Sequence, residues 1–490
     1  MEVQVAHNVE TARSLLIAGE WIQGRSTTFT VLNKFDNRPL AEISTPTAEQ
    51  VREAVQAAVR AFHDNRKLSP HERGRFLDKT AAALEARSDS LQRTICAEAG
   101  FTLSDAAGEV QRAIQTFRLA AEEARRFTGT LVPVEGAPGQ VGRMCWTMRI
   151  PLGVVAAITP FNAPLNTVAH KVAPALAAGN AIILKPSPHT PLVACQLAEA
   201  LMEAGTPKGL VSVLHGGAEV VQGLLDEQDV KFYAFTGSTE AGRAIQQRAG
   251  LRRTQMELGS IAFGIVCDDA DLDFALPKIV NAAYRKAGQV CTSIQLLLVH
   301  KNIFPIVEAR LTERVRDLAA GNPLDPATVV GPVISPASAQ RISDWIDQAV
   351  QSGATCLAGG SRQGNVVAPT LLKDISPETP LGCQEVFGPV MSLVPFSTLD
   401  EAITQVNATP YGLATGIFTN RLDEAFRFIT ELQVGGVHIN ETSSSRVDMM
   451  PYGGSKASGF GREGPYYAMR EMSEERVATL LSNTNRGKQR

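Results

Sequence analysis

No stretch of this 490-residue chain approaches the roughly 20 consecutive apolar residues that a membrane-spanning helix needs. An excess of one charge is missing too. The 47 basic and 50 acidic residues leave a formal net charge of -3, which supplies neither a basic nucleic-acid surface nor an acidic tail. The first twenty residues, MEVQVAHNVETARSLLIAGE, lack the basic start, long apolar run and cleavage site of a signal peptide. The seven cysteines, at 96, 145, 195, 267, 291, 356 and 383, are odd in number, scattered, and include no C-x-x-C pair. Neither a disulfide framework nor a metal site is expected from them. They read as free thiols in a reducing, cytoplasmic compartment. The G-x-G-x-x-G fingerprint of dinucleotide-binding folds is absent as well.

What is present is an alternation of helical and strand patterns in a chain long enough for two or three domains. The N-terminal third reads as helices. Thr47 and Gln50 form a capping box ahead of VREAVQAAVRAF; Ser69, Pro70 and Glu72 open a second helix; a third runs from about Ser104 to Arg126. Residues 128–150 carry Gly129, Pro133, Gly136, Pro138 and Gly139 between short alternating segments, which predicts an extended ribbon. From Gly153 the apolar strands GVVAAI, AIIL, LVSVL, KFYAF and TQMEL alternate with helical segments, one opened by Thr190 and Pro191, another by the Gly237–Ser238 turn. This is the signature of a parallel sheet with crossover helices. A second series starts at IQLLLV after Cys291 and alternates to about Asn440, and the tail SEERVATLL reads as an edge strand. The fold class is α/β, with more than one domain.

Three residues have reactive chemistry in suggestive places. Cys291, in AGQVCTS, offers the best side-chain nucleophile near neutral pH, although a cysteine alone is more often a buried, inert thiol. Glu257 ends an apolar strand just before Gly259, where burial makes a carboxylate a general base; otherwise it is a solvated loop acid. Asn162 follows a strand, and its amide can donate to a developing oxyanion or simply cap the turn before Pro164. Lys185 ends the strand AIIL, where a lysine usually points to solvent, and GSTEAG opens a helix whose N-terminal N–H groups suit phosphate.

Taken together, ITPFN around Asn162, ILKPS around Lys185, FTGSTEAG around Gly237, MELG around Glu257, GQVCTS around Cys291, EVFGPV around Glu385 and PYGGSKASGFGREG near the end are collinear. In order and spacing they resemble the aldehyde dehydrogenase superfamily. The local wording is similar to its lactaldehyde, phosphonoacetaldehyde and non-phosphorylating glyceraldehyde-3-phosphate dehydrogenase branches.

The resemblance implies a Rossmann-like cofactor domain (1–127 and 151–258), an α/β catalytic domain (259–472) and a small β-ribbon oligomerisation element (128–150 and 473–490), in a homodimer or homotetramer. It implies oxidation of an aldehyde to a carboxylic acid with NAD, or with NADP, as hydride acceptor. Cys291 would add to the carbonyl, Asn162 would hold the oxyanion, and Glu257 would activate the water that hydrolyses the thioester. Thr159, Pro160, Phe161, Lys185, Ser187, Pro188, Gly237, Ser238, Leu258, Gly259, Glu385 and Phe387 would contact the cofactor.

Three departures stand out. Ser260 replaces the second glycine of the usual ELGG. Pro188 stands where many NAD-preferring members carry a glutamate for the ribose hydroxyls, so no carboxylate there repels a 2′-phosphate. Met449 replaces the histidine of the usual HMP segment. Arg112 and Arg446 match positions that bind substrate phosphate in the glyceraldehyde-3-phosphate branch, but Val290 replaces that branch's third arginine. A small aldehyde with a polar or anionic group is the expected substrate; the alternative is that Arg112 is a solvated helix residue and Arg446 a loop support. Glu257 argues against a CoA-acylating enzyme, which typically lacks that glutamate. The presence of Cys291, Glu257 and Asn162 argues against a catalytically retired member used as a binding protein.

Overall fold

The computed structural model describes residues 15–481; the outermost parts of the expected cofactor domain (1–14) and tail (482–490) lie outside them. The apolar strands are buried along nearly their whole length, as parallel strands covered on both faces must be. Val154–Ile158, Ala181–Lys185, Val211–Val213, Val230–Thr236 and Arg253–Glu257 form the parallel body of an eight-stranded sheet. Val154–Ile158 lies between Ala181–Lys185 and Val230–Thr236. The chain winds outward to one side of it, then returns to the other. That reversal opens a crevice at the carboxyl ends of Val154–Ile158 and Val230–Thr236, which is where ligands bind in open α/β sheets.

A second, seven-stranded sheet contains Ala262–Val266, Ile294–His300, Thr370–Lys373, Val390–Phe396, Ala414–Phe418 and Gly436–Ile439 in parallel, with Thr355–Ala358 antiparallel at one edge. Each sheet has its own apolar core. The third component is a ribbon in which Arg143–Pro151 pairs with Leu131–Val132 on one side and Ser473–Leu481 on the other. The tail therefore joins the predicted ribbon.

Local signals held where they were local. The capping boxes at Thr47/Gln50 and Ser69/Glu72 form as read, and the third helix is Leu103–Arg126. One expectation needs correcting. The N-terminal third is not all helix: Leu15–Ile17 and Glu20–Ile22 make a hairpin through left-handed Ala18 and Gly19, and Thr28–Leu32 pairs with Pro39–Ser44. The helix Pro191–Glu203 opens at Thr190 and Pro191 as read, with no capping bond from the Thr190 hydroxyl among the described residues. The carboxylate of buried Glu98 caps that helix instead, accepting from the backbone N–H groups of Leu192 (2.9 Å) and Val193 (2.9 Å). The segment after Gly459 returns to the first sheet: Phe460 pairs with Met256, and Ala468, Met469 and Met472 join its core.

Candidate active site

A cleft of about 350 Å³ lies at the meeting of the two sheets. Strand ends deliver its walls. Ile158 ends a first-sheet strand, so Pro160, Phe161 and Asn162 follow at the crevice. Thr236 ends the next strand, and Gly237 and Ser238 lead into the helix Thr239–Ala249, with the Ser238 hydroxyl accepting from Ala241 N–H (3.3 Å). Glu257 ends the following strand, with Leu258 and Gly259 behind it. Cys291 arrives from the opposite side, in the loop ahead of Ile294–His300. Glu385, Phe387, Arg112 and Arg446 complete the convergence of sequence-predicted residues.

Thr159, Lys185, Ser187 and Pro188 stand outside this lining. Thr159 follows the strand that ends at Ile158, and Lys185, with Ser187 and Pro188 beyond it, ends the adjacent strand Ala181–Lys185, so they extend the same sheet edge. The Thr159 hydroxyl is buried without a hydrogen-bond partner among the described residues. Burial pushes the Lys185 ammonium down to about 8, partly offset by Glu219.

The loop holding Cys291 is built from an unusual turn. Lys286 and Ala287 adopt left-handed backbone (φ 51° and 52°), followed by Gly288 at φ 67°. A Cβ on Gly288 would sit 2.0 Å from the Gly388 carbonyl oxygen, so only glycine allows this approach. Lys286 is fixed from both sides: its Nζ donates to buried Glu109 (2.7 Å) and to the Asn162 carbonyl (3.2 Å). The nucleophile's turn is thereby tied to the Asn162 loop. The Asn162 side-chain amide has no hydrogen-bond partner among the described residues and borders the cleft.

Both oxygens of Glu257 are buried without a hydrogen-bond partner among the described residues. Burial, then the charge of Glu463, pushes this carboxyl well above its ordinary range. Glu463 is buried as well, yet Lys171 (2.9 Å) and Arg446 (3.0 Å) overcome that burial and hold it down to about 2. Two neighbouring carboxyls are thus driven apart, one ionised and one a proton carrier. Glu385 is raised to about 7 by burial, although the Ser260 N–H donates to it (3.0 Å). Ser260, the departure from ELGG, therefore serves through its backbone. Met449, the departure from HMP, is exposed.

The two arginines singled out by resemblance both reach the cleft, and both already have carboxylate partners. Arg112 forms a two-pronged pair with Asp448 (2.8 and 3.3 Å), so it is not a solvated helix residue. Arg446 donates to Glu463 (3.0 Å), and its guanidinium carbon lies 3.9 Å from the centre of the Tyr452 ring. The cation the sequence reading missed is Arg285, six residues before Cys291 in YRKAGQVC. It lines the cleft and has no hydrogen-bond or ion-pair partner among the described residues. Its adjacency to the cysteine motif was the available signal; the left-handed turn that brings it back to the cleft was not visible. Tyr452 was also missed as a site residue, although PYGG was noted: its hydroxyl lies 3.0 Å from the Cys291 sulfur.

The donor set fits a dinucleotide. Gly237 and Ser238 stand at a helix N-terminus, Lys185 adds a cation, and the orphaned Thr159 and Thr236 hydroxyls lie along the same strand ends. A doubly wound sheet with this donor set at its switch point defines a class, the oxidoreductases that take a nucleotide cofactor.

A sequence model of the aldehyde dehydrogenase family matches residues 21–478, and the chain belongs to that family. The chain is 44% identical over 467 residues to a 3-sulfolactaldehyde dehydrogenase from Priestia aryabhattai, covering 95% of this chain and 97% of that one. Aldehyde dehydrogenase 21 from Physcomitrella patens, solved with its reaction product succinate, superposes with a TM-score of 0.94 at 37% identity, covering 96% of this chain and 98% of that one. An NADP-dependent glyceraldehyde-3-phosphate dehydrogenase from Bacillus halodurans, solved with NADP, gives 0.93 at 35% identity, covering 96% and 99%. The protein is an NAD(P)-dependent oxidoreductase acting on an aldehyde. Among the described residues no helix is long and apolar enough to cross a membrane.

Proposed function

We propose that this enzyme oxidises a small aldehyde bearing a single negative charge, with Cys291 as nucleophile, Asn162 as oxyanion donor and Glu257 as the base for hydrolysis. The observation that carries the reading is the convergence of these three residues on one cleft at the sheet switch point. The Cys291 sulfur bonds to the carbonyl carbon, and the carbonyl oxygen takes up the electron pair. The Asn162 amide, with the backbone N–H of Cys291, holds that oxyanion. Charge on oxygen is what lets hydride leave the tetrahedral carbon, so donors aimed at it lower the barrier. NAD or NADP supplies the hydride acceptor when bound. Gly237 and Ser238 would hold its pyrophosphate, Lys185 with Thr159, Ser187 and Pro188 its adenosine ribose, and Pro160, Phe161, Leu258, Gly259, Glu385 and Phe387 its nicotinamide end. The remaining thioester keeps the acyl group on sulfur until Glu257 takes a proton from water, which attacks to give the acid and free thiol.

The charge of the substrate follows from counting. Arg112 is paired with Asp448, Arg446 with Glu463 and Lys286 with Glu109, while Arg341 donates to the Val386 carbonyl and lies over the Trp345 ring; Arg285 is left as the cleft-lining cation with no hydrogen-bond or ion-pair partner among the described residues. One cation with all its donors free, with Arg112 and Arg446 lending their remaining donors, suits a sulfonate or carboxylate better than a dianionic phosphate. The relative named for sulfolactaldehyde and the neighbour solved with succinate carry such groups. With Pro188 in place of a ribose-binding carboxylate, both NAD and NADP are accepted. The domain division, the homo-oligomer built on the ribbon, and a cytoplasmic setting consistent with seven free cysteines complete the reading.

The test is a panel of sulfonated, carboxylated, phosphorylated and neutral aldehydes of matched length, run with NAD and with NADP, in the presence and absence of CoA. A specificity constant highest for the singly charged members, unaffected by CoA, is the expected result. Preference for the neutral aldehyde removes the substrate assignment, and a requirement for CoA removes hydrolysis.

A further inference from the structure

Tyr452 enters the cleft wall as a fixed piece. Its backbone is bridged both ways to Glu463, Tyr452 N–H donating to the Glu463 carbonyl (3.2 Å) and Glu463 N–H to the Tyr452 carbonyl (2.7 Å). Arg446 lies on the ring face at 3.9 Å and is itself held by Glu463. Backbone and ring are therefore both located by the same neighbour. The phenol of this rigid side chain reaches the Cys291 sulfur at 3.0 Å, and it is the hydrogen-bond partner that sulfur has among the described residues.

We propose that Tyr452 is a catalytic residue whose phenolic O–H donates to the Cys291 thiolate, stabilising the nucleophile before the aldehyde arrives. This rests on Cys291 being the nucleophile. While both groups are protonated either can donate, but a thiolate has no proton to give, so the bond then runs from oxygen to sulfur. Tyr452 keeps its proton, because burial and then the neighbouring cysteine and glutamate push the phenol well above its usual value.

The groups facing Cys291 otherwise favour the neutral thiol. Burial pushes it up to about 12. The Tyr452 bond works against burial, the Glu385 and Glu257 carboxyls add to it, and Arg446 opposes them. Arg285 also faces the sulfur with a favourable charge. Tyr452 differs from the two arginines in touching the sulfur, and it adds no charge that would compete for an anionic substrate.

The experiment follows the rate of iodoacetamide labelling of Cys291 against pH in the full-length enzyme, the labelled peptide being identified by mass. Tyr452→Phe removes one oxygen and keeps the ring under Arg446. The expected result is a labelling inflection displaced to higher pH, about tenfold slower labelling at neutral pH, and an unchanged limiting rate at high pH. A pH profile that coincides with the wild type overturns the proposal. So does an unmoved inflection with a lower limiting rate, which makes the ring a steric guide. If Tyr452→Phe misfolds, judged by its unfolding midpoint, Tyr452→His decides instead: a neutral imidazole N–H should restore part of the labelling rate, and labelling no faster than in Tyr452→Leu overturns the donor role. Cys291→Ala separates this idea from the mechanism beneath it: turnover surviving in that variant removes the nucleophile, whereas an unshifted Tyr452→Phe profile removes only the donor.

Discussion

The Lys286 ammonium donates to the buried Glu109 carboxylate at 2.7 Å, joining the helix Leu103–Arg126 to the turn that presents Cys291. Burial alone would raise Glu109, but the charge and hydrogen bond of Lys286 reverse that and leave it below its ordinary value. Both partners are nearly inaccessible, so removing one leaves a charge with neither water nor partner. Lys286→Met is expected to destabilise the protein by about 3–5 kcal/mol, read as a lower denaturant midpoint. It should also lower kcat, because the Asn162 carbonyl loses its donor. A midpoint within about 0.5 kcal/mol of wild type would mean that the pair is not buried in solution.

Glu257 gives the mechanism its pH dependence. Its carboxyl is protonated over a wider range than an ordinary glutamate, and it must lose that proton to activate water. Hydrolysis of the thioester should therefore rise with pH through the elevated Glu257 value. Glu257→Gln is expected to give one burst of reduced cofactor equal to the active sites and then stall, with the rising limb lost. Steady turnover with no burst, and an unchanged profile, would exclude Glu257 as the base. Cys291→Ala should show neither burst nor turnover while still binding cofactor, as judged by fluorescence titration.

What the sequence made legible depended on how local each cause was. The capping boxes at Thr47 and Ser69 lie within one turn of their partners and form as read. The five parallel strands announced themselves because burial on both faces leaves mostly apolar runs, although Lys231, Thr254 and Gln255 interrupt two of them. Leu15–Ile17 did not, because a three-residue strand carries too little pattern; Leu16 pairs with Val213, far along the chain. The cleft's reactive residues were legible through motif resemblance, and the electrostatics were not. That Arg112 would face Asp448, or Arg446 face Glu463, depends on loops folding back from the far end of the chain. Arg285 stayed hidden because no composition rule forecasts left-handed Lys286 and Ala287.

Arg285 should mark the substrate's charged end. Arg285→Met keeps an apolar side chain of comparable length and removes the unpaired cation. Lost charge-assisted bonding corresponds to a rise of about ten- to a hundredfold in KM for a sulfonated or carboxylated aldehyde. A neutral aldehyde of the same length should change little, and kcat for either should hold, since binding that is equal in ground and transition states appears in KM. Equal losses on charged and neutral substrates would assign Arg285 to the fold of the turn.

The ribbon makes the last prediction. Ser473–Leu481 has a partner on one edge, Arg143–Pro151, and its Val477, Leu480 and Leu481 side chains are exposed, as are Leu131, Met144 and Met148 on the neighbouring strands. A three-stranded sheet whose edge is unpaired among the described residues, with this much uncovered apolar surface, is a template for another chain. A second copy of the same chain meets the requirement through a two-fold contact, in which each ribbon covers its counterpart. The wild-type enzyme is therefore expected to be a dimer or tetramer by light scattering. Val477→Glu with Leu480→Glu places two charges on the exposed strand without touching the cleft, and should shift the mass toward monomer while leaving Cys291 open to labelling. A wild-type monomer at working concentration, or a double variant with unchanged mass, would show that this surface is not where copies meet.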